Sequence, residues 1–274
     1  MNTRQFFQAI AILFQAVATL ALVGASVASQ AAAEVIAYDV ASNYDNNAAY
    51  VGLNLGTGFG VWTLVSGAGT NTAGKGSGFQ QEASANNTYV ISRGITTPLA
   101  VGSTLSLTLQ AAEAKKDGGG VSLLLFAAGA QAASLSYQNG DVTWQWNDGG
   151  GATSTGVNYV KSAVATVTFT RTSSPAGYEF SLSQSGQTTY TRSGTITSSP
   201  ASSAIDSLRF TAKTTSNHKT TLTSNTLQVQ SVPEPATLTM LAAVAVGGLL
   251  RAASPRGRTS LPAIAAEGTT AVAA

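Results

Sequence analysis

From Leu105 to Leu109 every second residue is a leucine. Leu105, Leu107 and Leu109 alternate with Thr104, Ser106 and Thr108. Side chains of a strand point alternately to its two faces, so this order buries one face and wets the other only if the segment is extended. The pattern recurs at Ala165 to Thr170, where Ala165, Val167 and Phe169 oppose three threonines. It recurs again at Gly177 to Gln184, with Tyr178, Phe180 and Leu182 against Glu179, Ser181 and Ser183, and at Ser207 to Ala212. Val121 to Phe126 is nearly all apolar and reads as a central strand covered on both sides. Further strands are expected at Val35–Val40, Tyr50–Leu55, Gly60–Val65, Thr88–Arg93, Asp141–Asn147, Thr188–Arg192 and Leu222–Val229. Ala111 to Lys116 is the only helical candidate, and it is short. Gly118–Gly120 and Gly149–Gly151 read as hairpin loops, and no fixed-period repeat runs through the chain. Many short strands with turn signals between them predict an all-β antiparallel sandwich over residues 34–231.

The two ends differ from this middle. Arg4 precedes an uncharged, apolar stretch from Phe6 to Ala28, and Ala31-Ala32-Ala33 offers a small-residue cleavage site before Glu34. Residues 1–33 therefore read as a signal peptide carrying a signal helix. A retained anchor is the other reading, since the stretch is long enough to span. At the other end Val232-Pro233-Glu234-Pro235 is followed by an apolar run, Ala236 to Leu250, and then by Arg251, Arg256 and Arg258. As a helix of about 1.5 Å per residue the run reaches about 22 Å, short of a hydrocarbon core about 30 Å thick.

The order Pro-Glu-Pro, hydrophobic helix, arginines resembles the PEP-CTERM sorting signals of Gram-negative envelope proteins, here over residues 232–258. The resemblance is carried by Pro233, Glu234, Pro235, Arg251, Arg256 and Arg258. It implies export, a transient inner-membrane intermediate with its basic side in the cytoplasm, and processing near Pro-Glu-Pro by an exosortase-type membrane protease. Cell surface or extracellular matrix is then the destination. Thr259 to Ala274 reads as a disordered tail.

Between the ends, residues 34–231 hold ten Lys/Arg and ten Asp/Glu, so the middle is neutral and nucleic acid is not an expected partner. Charged residues are only 9% of the chain, and Ser, Thr, Asn, Gln and Gly supply the polar surface instead. With no cysteine the domain has neither disulfides nor thiol chemistry and must stand on its core. A second resemblance covers most of this middle. A Tyr/Asp/Asn-rich start precedes Gly56-Thr-Gly-Phe-Gly-Val-Trp-Thr-Leu64. Then come Arg93-Gly-Ile, a Val-Gly-Ser-Thr-Leu-Ser-Leu turn-strand and a late Ile205-Asp-Ser-Leu-Arg-Phe strand. Their order resembles exported lectin-like jelly rolls of the laminin-G or concanavalin kind. That implies two curved antiparallel sheets whose first and last strands lie near each other.

Candidate sites are few. Trp144 and Trp146, two apart on one strand, share a face; they form either part of the core or a platform on which a sugar ring stacks. Asp39, Asn43 and Asp45, with Asn46 and Asn47, supply oxygens of the kind that hold Ca²⁺, and Asx turns explain the same cluster. No other cofactor is expected. Glycoside hydrolysis requires two converging carboxylates, and the acids here are scattered, with Asp141 and Asp148 flanking one strand. His218, the one histidine, reads as an exposed loop residue, because zinc lacks its usual ligands and no nucleophile elbow is present. Trp62 reads as core.

The expectation is a non-enzymatic envelope or matrix protein in contact with polysaccharide. A carbohydrate-active hydrolase on the same scaffold and a purely structural matrix protein are the alternatives. Mass spectrometry of the protein recovered from a host with an exosortase should find a chain beginning near Glu34 and ending near Pro235. Material carrying both Met1 and Ala274 would overturn the sorting assignment.

Overall fold

The computed structural model describes residues 33–74, 78–114, 118–173, 176–198 and 204–231. Both terminal signals, the tail and their expected helices lie outside these residues. So do Pro233, Glu234, Pro235, Arg251, Arg256 and Arg258. Among the described residues no helix is long and apolar enough to cross a membrane.

The chain forms the strands β1 (Glu34–Val40), β2 (Phe59–Ser66), β3 (Gly69–Gly74), β4 (Gly78–Ala83), β5 (Thr88–Leu99), β6 (Thr104–Ala112), β7 (Gly120–Ala127), β8 (Ala130–Gln138), β9 (Thr143–Asn147), β10 (Ala152–Asn158), β11 (Val164–Ser173), β12 (Gly177–Gln184), β13 (Tyr190–Thr195), β14 (Ile205–Lys213) and β15 (Thr220–Ser231). One sheet runs β13-β12-β11-β6-β15-β4-β3, with β1 also on β15; the other runs β10-β9-β8-β7-β14-β5-β2. Every pairing is antiparallel, for example Val167 with Leu107 and Leu182 in the first sheet and Leu123 with Phe210 and Leu135 in the second. The first and last strands lie side by side, Glu34 opposite Ser231, as the lectin-like resemblance implies.

The inward faces form a single core. Leu105, Leu107, Leu109, Val167, Phe169, Tyr178, Phe180 and Leu182 fill the first sheet's side of it. Aromatic rings join the two sheets at separate points. Trp146 of β9 stacks on Phe180 of β12 with centroids 3.7 Å apart, and Trp62 of β2 lies 5.0 Å from Phe79 of β4.

A buried ion pair makes a further link. Asp39 on β1 and Arg93 on β5 have fully buried side chains and are paired across the sheets. Tyr44 Oη donates to the same carboxylate at 2.9 Å, and Arg93 Nη2 donates to Asn54 Oδ1 at 2.8 Å. The guanidinium also sits over the rings of Phe59 and Trp62, 5.0 and 4.7 Å from their centroids. The glycines of the Gly-Thr-Gly motif let the chain pass close to β1. Gly58 has φ +67°, and a Cβ there would lie 2.1 Å from the Ile36 carbonyl oxygen.

The structure departs from expectation at several elements. Tyr50–Leu55 is not a strand: Asn71 Oδ1 accepts the N–H groups of Tyr50 and Val51, and the chain turns at Gly52. Ala111 and Ala112 end β6 instead of opening a helix, because Glu113 takes φ +61°. Gly118–Gly120 leads from one sheet to the other and so is no hairpin, whereas Gly149–Gly151 does join the paired strands β9 and β10. Val121–Phe126 is central but covered on one side only. Val121, Leu123 and Leu125 face the core, while Ser122 and Leu124 are half-buried on the outside.

Phe180→Ala removes the ring that Trp146 stacks upon and should cost about 3–5 kcal/mol in urea unfolding. Asp39→Leu leaves Arg93 charged and unpaired in the interior and should also cost about 3–5 kcal/mol. The double change Asp39→Leu/Arg93→Met should recover most of that loss; equal instability of the single and double variants would show that the pair is not what matters there.

Candidate functional site

The alternation that fills the core leaves the outward positions to hydroxyls and amides, and strand register arranges these in rows. On the second sheet one row runs Ser154, Gln145, Ser136, Ser122, Thr211 across β10, β9, β8, β7 and β14. At about 4.8 Å between strands it spans about 19 Å. The neighbouring row runs Asn147, Ser134, Leu124, Arg209, Ser92. On the first sheet a row runs Thr191, Ser181, Thr168, Ser106, Gln228 across β13, β12, β11, β6 and β15. Hydroxyls and primary amides both donate and accept, which is what the hydroxyls of a sugar require of a surface.

Each outer face has a depression. That on the first sheet, about 300 Å³, is lined by Thr168, Thr170, Glu179, Ser181, Thr191, Arg192 and Ser193, with Phe180. That on the second, about 210 Å³, is lined by Ser122, Leu124, Ser134, Ser136, Gln138, Thr211 and Lys213, with Gly120 and Val121.

The residues singled out in the sequence lie elsewhere. Trp144 and Trp146 are 2% and 1% exposed, so neither indole offers a face on which a sugar could stack; both sit in the core, beside Tyr137 and Phe180. Trp62 is 1% exposed and belongs to the core too. The Asx cluster is divided. Asp39 is buried and engaged by Val40 N–H, Tyr44 Oη and Arg93, so its oxygens face an existing cation, while Asn43 and Asp45 are exposed. Among the described residues no three His, Cys, Asp or Glu side chains gather as a metal site. His218 is half-buried, not exposed, and its Nδ1 bonds to Ser216 in the turn between β14 and β15.

Asp141 and Asp148 share no rim. They bracket the strand from opposite ends, about 23 Å apart at about 3.3 Å per residue. Asp141 accepts Gln138 N–H at 2.9 Å. Asp148 turns inward, where Tyr178 Oη donates to its Oδ2 at 2.6 Å and Arg192 approaches to 3.2 Å. Trp146 Nε1 donates to Tyr178 Oη in turn, at 3.1 Å. Burial opposes ionisation of Asp148, but the bond from Tyr178, the Gly150 N–H and the charge of Arg192 overcome it and hold the carboxyl below its usual range. Burial and the bond to Asp148 push the Tyr178 hydroxyl up. This network ties β9 to β12 and β13. Other carboxylates are similarly engaged: Glu82 pairs with Lys219, Glu113 with Lys161, and Asp206 accepts Ala128 N–H.

No known protein family matches the chain by sequence, and no curated protein matches it. Solved structures do resemble it in shape. Lectin II from Ulex europaeus is 10% identical at a TM-score of 0.43, covering 60% of this chain and 91% of that one. The CBM2 module of the evolved Dit protein from Lactobacillus casei BL23 phage J-1 is 12% identical at 0.46, covering 73% and 96%. The alginate lyase from Klebsiella pneumoniae is 10% identical at 0.42, covering 60% and 85%. Likenesses at this level decide nothing about what this chain binds.

A carboxyl with a depressed folded-state pKa adds stability above its unfolded value and loses it as pH falls through the folded one. Tyr178→Phe should therefore cost about 1.5–3 kcal/mol at pH 7 and flatten the fall in stability below about pH 4. Urea midpoints of both proteins from pH 7 down to about pH 2 check this; parallel curves would remove the charge-assisted bond from the account.

Proposed function

We propose that this is an exported, non-enzymatic protein of the cell envelope or extracellular matrix. Its lectin-like sandwich contacts polysaccharide, and its Pro-Glu-Pro tail is handled by an exosortase-type protease. The single observation that carries the contact is the outward dressing of both sheets: registered rows of hydroxyl and amide side chains around two shallow depressions. Such rows bond to many sugar hydroxyls weakly, which suits adhesion to a polymer better than capture of a small molecule.

The carboxylates favour binding over hydrolysis. Among the described residues Glu179 is the sole acid lining either depression, and acid–base cleavage of a glycosidic bond uses two. A glycan array probed with the full chain, with and without Ca²⁺, is the test. Retention of polysaccharides that persists in chelator is expected. Release of reducing ends from a β-glucan, with no glycan retained, would replace this reading by the hydrolase.

A further inference from the structure

The two outer faces carry different charge. Outward positions of the first sheet hold Glu179 and Glu82, the latter paired with Lys219, and the Arg192 at its depression is neutralised by Asp148. The second sheet is cationic. Arg209 and Lys213 both face outward from β14, with Thr211 between them, and neither makes an ion pair among the described residues. At about 3.4 Å per residue their backbones lie about 14 Å apart. Between them lies the depression of Ser122, Ser136 and Thr211, with Lys213 on its wall.

Arg209 is held in place. Its guanidinium lies 3.8 Å from the centroid of the Phe126 ring, which lies almost wholly covered on the outer face. A guanidinium set over an aromatic ring still has N–H groups to offer a planar, two-oxygen acceptor. Among the described residues no carboxylate occupies an outward position in the second sheet's rows. Of the described acids at its ends, Asp206 and Asp141 each already accept a backbone N–H, and Asp148 is turned inward to Tyr178 and Arg192.

We propose that the outer face of the second sheet binds an acidic polysaccharide, one bearing uronate carboxylates. The polymer lies along β14, with carboxylates on Arg209 and Lys213 and sugar hydroxyls on Ser122, Ser136 and Thr211. This rests on the polysaccharide-contact reading and adds to it the face, the polymer class and the two groups that choose it. The unpaired cations set the preference, and the hydroxyl rows supply contacts that a neutral polymer would share. A domain of no net charge thereby selects anionic chains, because its positive charge is placed on one side.

Affinity electrophoresis of the full chain through polygalacturonate and through neutral dextran tests this. Polygalacturonate should retard the protein, and raising NaCl to about 0.5 M should abolish the retardation as the charges are screened. Lys213→Glu, an exposed position, should weaken retardation about ten-fold or more. Ser136→Glu on the second sheet should do the same, while Thr168→Glu, the matched change on the first sheet, should leave it unaltered. Unchanged thermal midpoints establish that the variants fold. Equal retardation by dextran, untouched by Lys213→Glu, overturns the acidic-polymer assignment while polysaccharide contact survives. Loss with Thr168→Glu but not with Ser136→Glu overturns the choice of face. Retardation by neither polymer, with the glycan array also blank, overturns this proposal together with the reading beneath it.

Discussion

In a chain without cysteine, two sheets stay together only through what their inner faces do to one another. Here the work falls to interlocked aromatic rings: Trp146 on Phe180 near one end, Trp62 with Phe79 and Tyr50 near the other. Each ring removes a large apolar area from water, and ring pairs in such contacts add about 0.5–1.5 kcal/mol beyond area. Because these bulky groups face inward, strand geometry turns their neighbours outward. The hydroxyl rows are thus the other half of the same alternation. Surface chemistry and core packing in this domain are one pattern seen from two sides.

Against that apolar interior the buried charges stand out. Asp39 and Arg93 are both fully buried in a domain with few charges to spare. Desolvating two ions costs about as much as their attraction returns, so the pair is poor grounds for stability. It does fix position, joining β1 to β5 and setting Phe59 and Trp62 around the guanidinium. Asp148, Tyr178 and Arg192 make an equivalent tie at β9. The described carboxylates are mostly occupied in holding strands and turns, which leaves the outer faces to hydroxyls, amides and, among the described residues, a few cations without an ion pair.

Strands whose inner positions are large were legible from the amino-acid order. Leu105, Leu107 and Leu109, or Tyr178, Phe180 and Leu182, announce themselves by period two. β3, β4, β8 and β10 do so much less, since their inward residues include Ala73, Ala83, Ala133 and Thr155. Small residues pack where neighbouring strands are close, and that depends on partners far away in the chain. Trp144 and Trp146 could be assigned to a common face but not to the interior or the exterior, because alternation carries no sign. Alternation alone sets Arg209 on the face opposite Leu208 and Phe210, but only pairing with β7 showed that it and Lys213 flank a depression with no acid among its described lining residues.

What the order of residues determined by itself is local: an extended backbone, one greasy and one hydroxylated side to each strand, no covalent cross-links, and two terminal segments unlike the domain between them. Those properties follow from neighbours at i and i+2, which a linear reading contains. Which strands adjoin, which of two faces collects the cations, and whether a given tryptophan or aspartate meets water were decided by the tertiary structure. Each of those depends on residues tens to more than a hundred positions apart, brought together only when the two sheets close upon their core.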